Sequence, residues 1–339
     1  MRGRVLFVIF SLVLLLWADS SLVAQDSKLV EAAKKEGGKM MVYGSIENDT
    51  MDLIAAAFRK RTGLDVDFWR SSSTKVMDRV LSEYRAGKPL YDVVLTNSPP
   101  MQFMHRDGAL TKYDSPANQY FPKEVIHPQL GPQYRNSIIG IVYHAGLIKP
   151  ADAPKSLEDL LKPQYKGKVV IPDASQHTTT AQWLASLPKI MGSRERADKF
   201  IRDLAATKPL LVESLTPAGE RITTGETPIG IAFLKNVVFY GKKGIPLDYV
   251  RLGKFMGDGQ AIALGAKAPH PNAGKAFIDY FLGEEGLKIM AGIGEFVTRK
   301  GIYPPLPDAD KIELVEMIDM DQKAYAEKMA EYRKIFLQQ

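Results

Sequence analysis

The sequence contains no cysteine among its 339 residues. Disulfides, lipid attachment through cysteine and thiolate metal sites are therefore excluded. Long apolar runs are also scarce, because the run from Val5 to Ala18, broken only by Ser11, has no equal elsewhere in the sequence. A membrane-spanning helix needs about 20 predominantly apolar residues. The rest of the chain is therefore expected to be soluble.

The chain also lacks a strong excess of charge of either sign, with 45 basic and 39 acidic residues. Basic and acidic residues are interspersed, as in Glu195-Arg196 and Asp198-Lys199. A nucleic-acid-binding protein would be expected to carry a basic stripe with interleaved aromatic residues. The sequence has no such stripe, so no nucleic-acid partner is expected.

The first 24 residues have the pattern of a signal peptide. Arg2 and Arg4 precede the apolar run, and small residues follow it up to Ala24. This order predicts export to the periplasm with cleavage near Ala24. The alternative is a retained membrane anchor, but the run is short for a span. Removing residues 1–24 leaves 43 basic and 38 acidic residues, a net charge of +5.

Common catalytic motifs are absent from the sequence. It has no Gly-x-Ser-x-Gly elbow, no His-Glu-x-x-His and no phosphate-binding Gly-x-x-x-x-Gly-Lys-Ser. Asp173 and His177 are spaced so that they could form an acid–base pair, but no nucleophile is identified beside them. We therefore expect neither catalytic residues nor a cofactor, and an exported enzyme is the weaker alternative.

Strands and helices alternate along the chain. Apolar runs predict strands at 39–43, 64–69 and 91–95, and helical spacing predicts helices before and after each of them. This alternation of strands and helices predicts an α/β fold with a parallel sheet and right-handed crossovers. Residues 137–144 and 261–264 form extended runs on either side of a second α/β region, and 313–337 predicts a pair of amphipathic helices.

Polar residues follow the ends of the first three predicted strands. In open α/β sheets, ligands bind at the carboxyl ends of the strands. The alternative is that these residues only cap helices, which Ser, Thr and Asn also favour. Because three clusters share one predicted sheet edge, we expect them to contact a ligand. The candidates are Ser45, Ser72, Ser73, Thr74, Asn97 and Ser98.

A second polar segment follows the predicted strand at Val169–Ile171 and opens a helix near His177. Unpaired backbone N–H groups at a helix start favour a bound anion. Arg135 precedes an extended run and either pairs with a carboxylate or phosphoryl group of the ligand or lies on the surface. The other candidates from this half of the chain are Asp173, His177, Thr178, Thr179, Phe233 and Asn236.

Several short motifs occur in one order over nearly the whole chain after residue 25. They include FRKRTGLDV from Phe58, YDVV from Tyr91, SLEDL from Ser156 and PNAGKAFIDYFL from Pro271. In this order they resemble bacterial extracellular solute-binding proteins, a group that includes ferric-iron, thiamine and aminoethylphosphonate binders.

The resemblance implies a two-lobed type II periplasmic binding fold, in which each lobe is a mostly parallel sheet flanked by helices. Two hinge crossings are expected near Ile138–Tyr143 and Gly259–Ala263, with the ligand in the cleft between the lobes. The implied lobes are residues 25–137 with 260–305, and residues 138–259, with C-terminal helices over 306–339 packing on them.

The resemblance also implies that a monomer delivers a small-molecule ligand to an ABC permease and its ATPase. A ligand-loaded sensor for a membrane receptor would use the same fold, so it remains an alternative. The helix starts near Ser73 and Thr178 favour an anionic group on the ligand. A carboxylate or a phosphonate or phosphate is therefore expected.

Iron and thiamine are the two alternative ligands that the resemblance leaves open. Iron-binding relatives carry an adjacent tyrosine pair after the strand that corresponds to Ile229–Phe233, and this sequence has only Tyr240 nearby. Glu47 and His177 alone would make a weak metal site, so none is predicted. Four aromatic residues either stack on a thiamine-like heterocycle or pack in the core: Tyr43, Trp69, Tyr134 and Trp183.

Overall fold

The computed structural model describes residues 27–337, and the expected signal peptide lies outside them. The chain divides into two compact units. The first unit comprises the described residues up to Tyr134 with Gln260–Ile289 and Thr298–Ile302, and the second comprises Arg135–Gly259, Met290–Val297 and the residues from Tyr303 onward. Within the described part, no helix has both the length and the apolar character needed to cross a membrane.

The first part of the chain alternates between strands and helices. Its elements are α1 (27–35), β1 (Lys39–Gly44), α2 (Asn48–Thr62), β2 (Asp65–Arg70), α3 (Ser73–Arg85), β3 (Val93–Asn97), α4 (Ser98–Arg106), β4 (Leu110–Thr111) and β5 (Ile126–His127). Helix α2 ends at Gly63, whose φ of 77° lies in the left-handed region that glycine adopts without strain. The chain can therefore turn directly into β2.

The middle of the chain repeats the alternation of strands and helices. Its elements are β6 (Gly131–His144), β7 (Val169–Pro172), α5 (Thr178–Ser186), α6 (Pro188–Met191), α7 (Arg194–Ala206), β8 (Leu210–Val212), α8 (Leu215–Thr223), β9 (Ile229–Phe233), α9 (Lys235–Gly241), β10 (Leu247–Tyr249) and β11 (Lys254–Gly265). The C-terminal elements are α10 (Pro271–Leu282), α11 (Glu284–Gly292), β12 (Phe296–Val297), β13 (Glu313–Glu316) and α12 (Gln322–Leu337).

The sheet of the first unit is parallel over β2, β1 and β3, as the sequence predicts. Val42 of β1 pairs with Phe68 of β2 and with Val93 of β3. The second half of β11 returns antiparallel to β3, with Ile262 opposite Leu95. The core beside this sheet is aromatic and aliphatic, and its largest buried members include Tyr43, Tyr91 and Met104.

The sheet of the second unit has the order β6-β9-β7-β8. Strand β9 runs antiparallel to β6 and parallel to β7, which is in turn parallel to β8. Gly230 permits the approach of β9 to β7, because an added Cβ would lie 2.2 Å from the carbonyl oxygen of Val170. The carboxyl ends of β7 and β9 therefore lie at one edge of this sheet.

The C-terminal region differs from the predicted pair of helices. Glu313–Glu316 is the strand β13, which pairs with the first half of β11 through Met256 and Val315. A single helix follows, α12, which packs on α5 and α7 with Tyr332 buried. The prediction of two helices is wrong because pairing with β11, a distant partner in sequence, decides the conformation of 313–316.

The units also differ in detail from the lobes that the resemblance implies. Residues 135–137, 290–297 and 303–305 were expected in the first lobe, and they belong to the second unit. Residues 296–297 belong to the second unit because they pair with β6, where Phe296 and Val297 lie opposite Asn136 and Arg135.

Candidate functional site

The strand ends of the first unit bring together three polar clusters. Because β1, β2 and β3 are parallel, their carboxyl ends meet at one edge. The hydroxyl oxygens of Ser45 and Thr96 lie 2.8 Å apart, and the Ser73 hydroxyl donates to Oδ1 of Asn97. Four residues from three strand ends thus form two hydrogen-bonded pairs at this edge.

The helix starts beside the same edge combine capping with open backbone groups. The Ser72 hydroxyl accepts a 3.4 Å hydrogen bond from the N–H of Lys75, so this residue caps α3. The Thr74 side chain is exposed, and the Ser98 hydroxyl donates to Oε1 of Gln133 at 3.4 Å. The first N–H groups of α3 have no acceptor within the helix, as at every helix start. Capping by Ser72 uses the N–H of Lys75 and leaves the N–H groups of Ser73 and Thr74 without an acceptor in the helix.

In the second unit, Asp173 shapes the loop that joins β7 to α5. Its Oδ1 accepts from the N–H of Ser175 and its Oδ2 from the side-chain amide of Gln176, both at 2.8 Å. The side chain is buried, with 6% of its surface exposed. Both carboxylate oxygens therefore hold the turn that leads into α5.

His177 caps α5 through its imidazole. Nδ1 accepts from the N–H of Thr180 at 3.3 Å and lies 2.7 Å from the Thr180 hydroxyl oxygen. Burial disfavours the charged ring and lowers the pKa of His177 to about 4. The ring is therefore neutral at pH 7. In the described contacts Asp173 and His177 are joined only through backbone atoms, so the acid–base pair considered from the sequence is not formed.

Thr178 and Thr179 occupy the first turn of α5. Thr178 is exposed and Thr179 is half-buried. Their N–H groups have no acceptor within the helix, whereas Thr180 and Ala181 bond to His177. The start of α5 thus presents two backbone donors and two hydroxyls.

The end of β9 lies at the same edge as the end of β7. Val169 of β7 is opposite Ile229 of β9, so the parallel register places Phe233 level with Asp173. Phe233 is half-buried. Asn236, one turn later in α9, is 7% exposed, and a Cβ added to Gly219 of α8 would lie 2.1 Å from its Nδ2. The amide of Asn236 is therefore packed against α8.

Arg135 is buried, unlike the surface arginine that was one of the two alternatives left by the sequence. It is 1% exposed, and its Nη1 forms an ion pair with Oε1 of Glu295, which is 2% exposed. The same oxygen lies 3.1 Å from Nζ of Lys235. The expectation of a surface arginine is wrong, because the chain folds Glu295 against this guanidinium.

Three polar residues at these edges are not among the candidates named from the sequence, although Thr96 follows a predicted strand beside Asn97 and Ser98. Thr96 pairs with Ser45, and Glu295 joins Arg135 to Lys235. Lys235 follows β9 by two residues, so the strand-end rule applied to Ser45 would also have selected it. Glu295 carries no local signal, because its partners are distant in sequence.

The aromatic residues considered for stacking on a heterocycle have partners within the protein. Tyr43, Tyr134 and Trp183 are each at most 1% exposed and belong to the core. Trp69 is half-buried, and its ring lies under the guanidinium of Arg79 at 4.3 Å. The core-packing alternative therefore holds for the first three, and Trp69 already stacks on a cation.

The described residues include no group of three or more His, Cys, Asp or Glu side chains arranged to hold a metal ion. The sequence also lacks the adjacent tyrosine pair expected for an iron binder after β9, where the rings of Tyr240 and Phe239 lie edge-to-face with centroids 5.1 Å apart. The candidate residues of the first-unit edge supply hydroxyls and an amide, and the start of α5 in the second unit adds hydroxyls and backbone N–H groups.

Comparison with known proteins identifies the group to which this chain is similar. A family model described as "Bacterial extracellular solute-binding protein" matches residues 39–294. The chain is 24% identical to the Fe(3+)-binding periplasmic protein of Serratia marcescens over 328 residues, which cover 89% of this chain and 92% of that protein.

Two solved structures show the same fold. The periplasmic binding protein AfuA from Actinobacillus pleuropneumoniae, with exogenous fructose-6-phosphate bound, has a TM-score of 0.66 and 20% identity over 89% of this chain and 97% of that one. Iron-bound HitA from Pseudomonas aeruginosa has a TM-score of 0.66 and 20% identity over 88% and 99%. The fold is thus the type II periplasmic binding fold expected from the sequence, and the chain belongs to the bacterial extracellular solute-binding proteins.

Proposed function

We propose that this protein captures a small organic anion in the periplasm and delivers it to an ABC permease and its ATPase. The anionic group would be a carboxylate, a phosphonate or a phosphate. The observation that supports this class is the start of α5, where Thr178 and Thr179 offer backbone N–H groups and hydroxyls beside a neutral His177. Such a helix start binds anions through aligned donors and the helix dipole.

The polar edge of the first unit supports the same ligand class. Ser45, Ser73, Ser98 and Asn97 supply hydroxyls and an amide at the ends of β1 and β3 and at the helix starts. No carboxylate belongs to this candidate set. We propose that these side chains offer hydrogen bonds to a solute of this class. In the second unit, we propose that Asp173 and Arg135 position their surroundings instead of contacting the solute directly.

A thermal-shift panel tests the proposal. Purified protein is heated with citrate, methylphosphonate, inorganic phosphate, thiamine or ferric iron, because a ligand that binds only the folded state raises the Tm by mass action. We expect at least one of the organic anions to raise the Tm. A shift with ferric iron alone would refute the organic-anion class and favour the ligand named for the Serratia relative.

Substitution of the two threonines tests the site. Thr178→Ala with Thr179→Ala removes two hydroxyls and leaves the backbone donors in place. A hydrogen bond to a charged group contributes about 1.5–3 kcal/mol, so the loss of even one of the two hydroxyl contacts should weaken anion binding roughly 10- to 150-fold by calorimetry. Thr224→Ala is the control, because Thr224 is an exposed threonine at the end of α8. Unchanged affinity in the double variant would remove Thr178 and Thr179 from the site.

Catalysis and sensing are the competing functions. Incubation of the protein with the bound anion, followed by mass spectrometry of the small molecule, should return it unaltered. Formation of a product would overturn the binding proposal. Reconstitution with the permease and ATPase should produce ligand-dependent ATP hydrolysis, whereas a sensor would give none.

A further inference from the structure

The end of β9 carries a cation that the candidate set does not include. Lys235 is the first residue of α9 and follows Phe233 by two positions. Its Nζ lies 5.5 Å from the centroid of the Phe233 ring and 3.1 Å from Oε1 of Glu295. The ammonium is therefore held in place by an aromatic face and a carboxylate.

Strand register places Lys235 at the polar edge of the second unit. Phe233 is level with Asp173 across the parallel pair β7/β9, and it is opposite Ile139 across the antiparallel pair β6/β9. Arg135 precedes Ile139 on β6, so it lies beyond the same end of β9. Lys235, Arg135 and the loop that begins at Asp173 thus belong to one edge.

Exposure separates the members of this charged group. Arg135 is 1% exposed and Glu295 is 2% exposed, whereas 17% of the Lys235 side chain is exposed. Lys235 is thus the member of the group that reaches solvent. Buried Arg135 pairs with the same oxygen of Glu295 as Lys235 does. Arg135 therefore fixes the Glu295 carboxylate, and the carboxylate fixes the Lys235 ammonium.

We propose that Lys235 contacts the anionic group of the solute and sets the preference of the site for anions, while Glu295 and Arg135 position it. An ammonium is a compact point charge that suits carboxylate, phosphonate and phosphate alike. Charge-assisted hydrogen bonds are about twice as strong as neutral ones. Lys235 therefore adds charge recognition to the neutral donors of α5. This inference rests on the proposed function.

Four variants test the role of Lys235 by calorimetry with citrate, methylphosphonate and inorganic phosphate. Lys235→Met should weaken binding of the preferred anion about 10- to 100-fold, the loss expected for one charge-assisted hydrogen bond, and should flatten the dependence of affinity on salt. Lys235→Arg keeps a cation and should bind with intermediate affinity. Glu295→Gln removes the carboxylate that positions the ammonium but leaves the ammonium itself, so anion affinity should fall less than in Lys235→Met.

The fourth variant is the matched control. Lys243→Met removes an ammonium that also lies over an aromatic ring, 4.2 Å from the Phe239 centroid, just beyond the other end of α9. It should bind as the wild type does. The Tm of each ligand-free variant, measured in parallel, reports any loss of folding.

The outcomes separate the possible failures. If Lys235→Met binds the anion as tightly as the wild type, the role of Lys235 is refuted and the proposed function stands. If Lys235→Met and Glu295→Gln weaken binding equally, the group has only a structural role and the inference is likewise refuted. If the wild type binds none of the three anions, the proposed function fails and the inference fails with it.

Discussion

Acidification should destabilise this protein through His177, the imidazole cap of α5. Nδ1 acts as the acceptor for the N–H of Thr180, so a proton on Nδ1 removes the cap and places a charge in a buried site. Burial lowers the pKa of His177 to about 4 in the folded protein. The unfolded chain has a pKa of about 6.5 for histidine.

The sign and size of the effect follow from proton linkage. Because the pKa is lower in the folded state, the unfolded state binds the proton more tightly, and protonation favours unfolding. The stabilisation is complete above about pH 6.5 and is lost as the pH falls toward about 4. The full shift corresponds to roughly 3 kcal/mol, of which about 2 kcal/mol should be lost at pH 5.

Urea unfolding at pH 7, 6 and 5 measures this loss if the wild type is compared with His177→Asn. Asparagine is a good N-cap and does not titrate, so the variant keeps a cap at every pH. The difference in unfolding free energy between the two proteins should change by about 2 kcal/mol between pH 7 and 5 in favour of the variant. Ser193→Ala, which removes the cap of α7, should show a loss that does not vary with pH. A difference that stays constant from pH 7 to 5 would refute the reasoning.

Two further predictions concern the framework of each unit. Glu36→Gln should lower the unfolding free energy by about 1–2 kcal/mol, because the Glu36 carboxylate accepts the first two N–H groups of α10 after its proline. Glu31→Gln, an exposed change in α1, which ends one residue before Glu36, should cost under about 0.5 kcal/mol in urea unfolding, and equal losses would contradict the capping role. Gly230→Ala should cost about 2 kcal/mol or more, because the methyl would meet the Val170 carbonyl at 2.2 Å. Gly241→Ala, with open space around its Cβ, should leave the Tm unchanged or slightly higher, and equal Tm values for the two variants would contradict the close approach.

The parts of the fold that local patterns specify could be predicted from the sequence. The apolar runs that became β1, β2 and β3 alternate with helices of clear 3.6-residue period, so their parallel pairing followed from the general rule for βαβ units. The grouping of Ser45, Ser73 and Asn97 at one edge followed from that pairing. For these strands and helices, the local hydrophobic pattern was sufficient to predict the conformation of each element.

Interactions between distant segments could not be predicted in the same way. Residues 313–316 have a helical pattern but form β13, because the first half of β11 offers an unpaired edge. Arg135 and Glu295 meet only through the pairing of β6 with β12. A local sequence pattern does not predict contacts with residues that lie so far along the chain. Lys235, the residue proposed to contact the anion, was not among the sequence candidates, although the strand-end rule applied to Ser45 also points to it.

The position of β11 late in the sequence also affects how the chain folds. Strand β3 needs the segment from Gln260 onward as its antiparallel neighbour, and β6 needs Phe296 and Val297. A growing chain therefore cannot complete either sheet until most of its residues have emerged. Pairings of such long sequence separation also slow folding. We expect a fragment that stops at Gly259 to expose the edge of β3 and to fail to form a stable first unit. In the growing chain, the first unit would therefore stay unfolded for most of the synthesis and could still pass through a narrow channel.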